Sequence, residues 1–164
     1  MARAERTEIL NGVYHVTQHA TADEVFFRDT FDRFLFEGLL GRALDRFCWE
    51  LHAYCQVDNH YHLLVQLREL TLALGMQFLD SRYAQGFNQR HERRGTLVRG
   101  RYTSTLVETE AHYVNCLVYI AMNPVGAGLG RRPEDWEWSS YGGRGTLARR
   151  PDQFLCEFID IALA

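Results

Sequence analysis

From Gly12 to Ala20 the chain reads "GVYHVTQHA", apolar and polar by turns, which is the two-residue period of a strand and sets His15, Thr17 and His19 on one face. The period then lengthens. In "RDTFDRFLFEGLLGRALDRF", apolar residues at Phe31, Phe34, Leu35, Leu39 and Ala43 predict a helix, with Asp29 or Thr30 as its N-cap. Alternation returns in "ELHAYCQV", predicting a strand with Leu51, Ala53, Cys55 and Val57 on one face and Glu50, His52, Tyr54 and Gln56 on the other. Asp58-Asn59 is a turn signal, and "NHYHLLVQL" follows as the second arm of a hairpin. Here His60, His62, Leu64 and Gln66 share one face; Tyr61, Leu63, Val65 and Leu67 share the other.

A second helix is predicted in "TLALGMQFLDSRYAQGFNQRH", with Leu72, Met76, Leu79, Tyr83 and Phe87 on one stripe. A short strand is expected near Ser104–Val107, then a helix, "TEAHYVNCLVYIAMN", that meets Pro124. Val114, Leu117, Val118 and Ala121 are its expected buried stripe, with Asn115, Tyr119 and Asn123 on a stripe roughly 150° away. The remainder is loop-rich, "RRPEDWEWSSYGGRG", and closes in a short apolar segment.

Strand, helix, strand, strand, helix, strand, helix is the order of an α+β, ferredoxin-like split βαβ fold. The expectation is an antiparallel sheet with helices on one face and an open polar side carrying the histidines. One domain over residues 1–164 is expected, with a core of about 12–125 and a loop-rich extension of 126–164.

Composition narrows the class. With 46% hydrophobic residues in 164, the chain suits a globular domain with a sizeable core. No apolar run reaches the roughly 18 residues of a membrane span, and "MARAERTEIL" lacks the apolar stretch of a signal peptide, so a cytoplasmic protein is expected. Cys48, Cys55, Cys116 and Cys156 form no CxxC pair, and all four are read as reduced and mostly buried. Net charge is −3, but Arg82 to Arg101 holds six arginines against Glu92, a local +5 that leaves −8 elsewhere. Such a segregated basic segment can attract phosphate whatever the total charge. Every cationic residue is arginine, which carries no functional inference here.

The chemistry concentrates in two places. Two imidazoles alternating on one strand face form a potential metal clamp, a spacing that zinc sites also use. Tyr119 and Asn123 are an i, i+4 pair, neighbours on a helix surface away from its core stripe.

The segments "VDNHYHLLVQL", "RYAQGFNQRHERRGTLVRGRY" and "YVNCLVYIAMNPVGAGL…PEDWEWSSY" resemble the single-tyrosine HUH transposases (the IS200-like family), within them the REP-associated subgroup, over about Gly12 to Tyr141. The resemblance implies a ferredoxin-like sheet with His60 and His62 as metal ligands, completed by Asn123, and Tyr119 as nucleophile. It implies Mg²⁺ or Mn²⁺, cleavage of single-stranded DNA beside a hairpin, a covalent 5′-phosphotyrosine, then rejoining. Two imidazoles and an amide are softer than a usual Mg²⁺ site, so Mn²⁺ should bind at least as well. Arg90, Arg93, Arg94, Arg99 and Arg101 would grip the phosphate backbone, with Tyr102 stacking an unpaired base. Trp136, Trp138 and Tyr141 either stack bases too or pin the C-terminal loop. Related enzymes act as monomers or homodimers.

The chain departs from the family pattern at three points. Val57-Asp58-Asn59-His60 stands for Met-Pro-Asn-His, His19-Ala20-Thr21 for an Arg-Gly-Asn segment that touches DNA, and Gly126 for an arginine. The alternative function is a hairpin-binding protein that no longer transposes and serves in regulation or repeat maintenance. A single-stranded RNA-binding sheet would show exposed aromatics in place of the histidine pair, and a zinc hydrolase would need a third His, Cys or carboxylate ligand.

Overall fold

The structure, a computed structural model, describes residues 7–143. Strand β1 (Val13–His19) leads to helix α1 (Thr30–Arg46), the hairpin β2 (Trp49–Gln56) and β3 (His60–Leu67), helix α2 (Leu72–Arg90), strand β4 (Thr103–Leu106) and helix α3 (Glu110–Gly126). A short 3₁₀ turn at Pro133–Asp135 follows. The sheet order is β2-β3-β1-β4, antiparallel at every pairing. β1 and β2 therefore run parallel with β3 between them, as a split βαβ fold requires. Asp29 is the N-cap of α1, its side chain accepting from the Asp32 N–H.

Helices α1 and α2 bury one face of the sheet. Phe26, Phe36, Tyr61 and Tyr83 meet at its centre, with the Phe26 and Tyr83 rings stacked at 4.9 Å and those of Phe36 and Tyr61 tilted at 4.5 Å. The α2 stripe of Leu72, Met76, Leu79, Tyr83 and Phe87 is buried as the pattern predicts.

The other face is not open along its length. Ala53, Cys55, Val57 and Leu64 pack against Cys116 and Ile120 of α3, so the expectation of helices on one face holds for α1 and α2 alone. The buried stripe of α3 runs through Cys116, Ile120, Ala121 and Pro124; of the expected stripe Ala121 is buried, while Val114, Leu117 and Val118 are only partly covered. It is rotated by about a quarter turn from the predicted stripe. This helix is apolar on most sides, so its own pattern leaves the buried side open and the sheet decides it. It also continues through Pro124 to Gly126, ending where Gly128 takes φ +74°.

The β2 expectation needs one correction. Leu51 pairs with Val65 but Ala53 with Leu64, which leaves His52 as an extra residue in a bulge. The bulge switches faces. Leu51 packs in the core under α1 and α2, and Ala53, Cys55 and Val57 pack under α3. Tyr54 and Gln56, expected on a polar face, are fully buried and both donate to Glu37 Oε1.

Beyond the 3₁₀ turn, residues 138–140 pair along the free edge of β2, through Gln56 N–H to Trp138 O and Ser140 N–H to Tyr54 O. Trp136 donates to the Gln56 carbonyl at 2.8 Å and Trp138 packs on Phe34, so both pin this loop. Cys48 is exposed, Cys55 and Cys116 are buried, and all three are free. Cys156 and the closing apolar segment lie outside the described residues. No helix among the described residues is long and apolar enough to cross a membrane.

Candidate active site

β1 and β3 are neighbours in register, with Thr17 opposite His62 and His19 opposite His60. The one polar face of each strand therefore becomes a single patch holding His15, Thr17, His19, His60 and His62. Helix α3 crosses beside it. The rotated seat of α3 brings Asn123 to the flank of its buried side, and Asn123 Oδ1 lies 3.1 Å from His60 Nε2. Tyr119, one turn earlier, is 54% exposed. Its ring stands edge-on to His62 at 5.3 Å and to His15 at 5.7 Å between centroids. His60, His62, Tyr119 and Asn123 thus converge from β3 and α3. A shallow cleft of about 520 Å³ opens there, lined by His19, His60, Tyr119, Met122 and Asn123.

The ring nitrogens are unevenly engaged. His60 Nδ1 lies 2.7 Å from Asn59 Oδ1, on the side of the ring away from Asn123. With Nδ1–H donating there, Nε2 turns its lone pair toward the Asn123 oxygen, since a neutral imidazole has one N–H. Two lone pairs 3.1 Å apart are a natural cation seat, because neighbouring donors about an octahedral Mg²⁺ lie roughly 3 Å apart. His62 Nδ1 lies 3.0 Å from both His15 Nε2 and Thr17 Oγ1, whereas its Nε2 is buried with no partner among the described residues. Burial, and then the neighbouring rings, push His62 down to about 3. Burial and His19 lower His60, and burial lowers His15 and His19 as well. All four imidazoles are therefore neutral at pH 7, with nitrogen lone pairs available as metal ligands. This donor set, two imidazole nitrogens and an amide oxygen, fits a divalent ion.

The basic segment divides in two. Arg90 pairs with Asp29 and Asp32, and Arg93 with Glu24 at 2.8 Å while also donating to the Gly95 and Thr96 carbonyls. Arg94, Arg99 and Arg101 are exposed and form no ion pair with described residues. Their loop is pinned beside the histidine patch: Arg99 N–H donates to His19 O at 2.8 Å, and Thr21 N–H to Leu97 O at 2.9 Å. Tyr102 is half-buried against the core under α1 and α2, on the side away from the histidines.

Counting only His, Cys, Asp and Glu, the one group of three ligand atoms close enough to share an ion among the described residues is Asp29, Asp32 and His91. Asp32 is fully buried and spends its oxygens on the Arg28 N–H, Arg90 and His91. The hydrogen bond from Arg90 holds Asp29 down to about 2. The cluster is an ion-pair lock between the start of α1 and the end of α2.

His15, Thr17 and His19 were visible in the sequence as one strand face. Their place in the site was not, because only the pairing of β1 with β3 sets them opposite His60 and His62.

No protein-family model matches the chain, and no curated protein matches it by sequence. Solved structures do match. A REP-associated tyrosine transposase bound to a REP hairpin superposes with a TM-score of 0.73 at 14% identity, covering 93% of this chain and 100% of that one. The tRNA(His) guanylyltransferase from Saccharomyces cerevisiae gives a TM-score of 0.52 at 8% identity, over 74% of this chain and 62% of that one. The second match shows that this sheet serves more than one chemistry, so fold alone does not assign function. The chain has the fold of a REP-associated tyrosine transposase.

Proposed function

We propose that the protein belongs to the REP-associated tyrosine transposases and cuts and rejoins single-stranded DNA at hairpins, with Tyr119 as nucleophile. The observation that carries this reading is the convergence of an exposed tyrosine with His60, His62 and Asn123, from elements some sixty residues apart, beside a shallow cleft that Tyr119, His60 and Asn123 line. The hairpin-bound structure of the same fold supports the choice of substrate.

In this reading His60 Nε2, His62 Nε2 and Asn123 Oδ1 hold Mg²⁺ or Mn²⁺. The bound ion would neutralise charge on the scissile phosphate. Tyr119 Oη attacks phosphorus, an O–P bond forms, the bond to the 3′ oxygen breaks, and that oxygen leaves as a hydroxyl while solvent takes the phenol proton and returns one to it. One phosphodiester replaces another, so the reverse attack by the free 3′-hydroxyl reseals the strand without ATP. Phenol is a weak nucleophile, so the attack requires that its proton be taken up as the new O–P bond forms. Arg94, Arg99 and Arg101 contact backbone phosphates, while Arg90 and Arg93 hold the loop that presents them. A single chain carries the whole donor set, so a monomer suffices, and sedimentation equilibrium distinguishes it from a homodimer.

The test uses labelled hairpin DNA from the gene's own flanks with Mn²⁺ or Mg²⁺, resolved on denaturing gels. The expected result is a covalent protein–DNA band that is lost with EDTA and lost entirely in Tyr119→Phe, with hairpin binding retained. Binding without an adduct under any divalent ion would replace the enzyme reading with that of a non-transposing hairpin-binding protein.

A further inference from the structure

His62 is tied down along one ring edge and untied along the other. Nδ1 has His15 Nε2 and Thr17 Oγ1 at 3.0 Å; Nε2 has no solvent and no partner among the described residues. Two tautomers are open to a neutral ring. If His15 donated to His62 Nδ1, the His62 proton would sit on Nε2 as a buried donor with nothing to accept it. If His62 donates through Nδ1 instead, both His15 Nε2 and Thr17 Oγ1 can receive it, and Nε2 keeps its lone pair. The second arrangement leaves no orphaned N–H. His60 is anchored the same way, through Nδ1 to Asn59 Oδ1 at 2.7 Å.

We infer that His15, seconded by Thr17, is a positioning residue that fixes His62 in its Nδ1–H tautomer and so aims the Nε2 lone pair into the candidate metal site. The inference rests on the metal reading of His60, His62 and Asn123. It assigns to β1 a role in the chemistry of β3. His15 also packs against Tyr119, with ring centroids 5.7 Å apart, so one side chain touches both the candidate ligand and the candidate nucleophile. Outer groups of this kind orient ligating histidines and raise their basicity, and their loss typically weakens metal binding about ten- to hundredfold.

The test needs no DNA. Two-bond ¹H–¹⁵N spectra of the metal-free protein at neutral pH report the tautomer of His62 directly, and Mn²⁺ titrations followed by EPR report affinity. Wild type should show His62 protonated at Nδ1. A folded His15→Ala variant should show a mixed or reversed tautomer and a Mn²⁺ dissociation constant raised about ten- to hundredfold. His15→Gln, whose amide oxygen can accept in place of Nε2, should recover affinity to within a few-fold. A wild-type spectrum with His62 protonated at Nε2 overturns the inference, whatever the variants do. So does a folded His15→Ala with unchanged tautomer and affinity. If His15→Ala fails to fold, the wild-type spectrum and His15→Gln decide. Should wild type show the Nδ1–H form yet bind no Mn²⁺, the metal reading falls and the tautomer assignment stands.

Discussion

At the scale of single residues, the candidate site depends on keeping imidazoles neutral. Burial is the first cause for His60 and His62, and the histidines repel one another's charge as the second. An ordinary histidine protonates near 6.5, and a proton on the ligating nitrogen excludes a metal. With both pKa values lowered, Mn²⁺ affinity should fall less between pH 7.5 and pH 6 than it would for two ordinary imidazoles. EPR titrations at the two values check this, and a tenfold loss across that interval would contradict it. Asn123→Ala should weaken Mn²⁺ binding about tenfold or more without loss of folding, measured by the same titration and by circular dichroism. Tyr119→Phe should leave Mn²⁺ affinity unchanged, since the phenol is no part of the donor set.

Between elements, two contacts set how α2 meets the sheet. A methyl on Gly75 would sit 2.1 Å from Cζ2 of Trp49, whose ring is buried and whose Nε1–H donates to Thr71. The ring cannot give way cheaply, so Gly75→Ala should cost about 2 kcal/mol or more in urea unfolding, from overpacking. Further along α2, Asp80 accepts from Tyr61 at 2.6 Å and from Gln18 at 3.0 Å, joining the helix to β3 and β1 beneath the histidine patch. Burial outweighs those two hydrogen bonds and raises its carboxyl to about 6 from 3.8. Between those values the native state binds more protons than the unfolded chain, so stability falls as pH rises through this window and is level above it. From pH 4 to pH 7 the wild type should lose on the order of 1–3 kcal/mol relative to Asp80→Asn. Paired urea titrations at the two pH values measure the difference.

For the whole molecule, the balance of charge matters more than its total. Acidic residues of α1 and the loop before it consume Arg90 and Arg93, leaving Arg94, Arg99 and Arg101 facing solvent on a loop pinned to His19. Replacing those three by glutamine should lower the slope of log K against log salt for single-stranded DNA by roughly 2, at about 0.7 per phosphate contact. Fluorescence anisotropy across a salt series measures it, and an unchanged slope would remove these arginines from the interface. Arg90→Gln should act differently, lowering stability by removing one of the partners of the buried Asp32 while leaving the slope alone.

Local order in the sequence determined a good deal. Alternation located β1, β2 and β3, a 3.6-residue period located the α2 stripe, and one of the two N-cap candidates, Asp29, caps α1. It also set His60 and His62 on one face of one strand, because side-chain direction in a strand follows from sequence position alone. What it could not carry is pairing across distance. The bulge at His52 that turns over half of β2, the seat of α3 on the histidine face, the capture of Arg90 and Arg93 by acids far away in the chain, and the placing of His15 against His62 arise only when separate elements meet. The physical reason is that a periodic pattern reports how one element can bury its own apolar side. Which partner covers that side, and which polar groups are thereby brought within hydrogen-bonding distance, is decided by the packing of the whole chain.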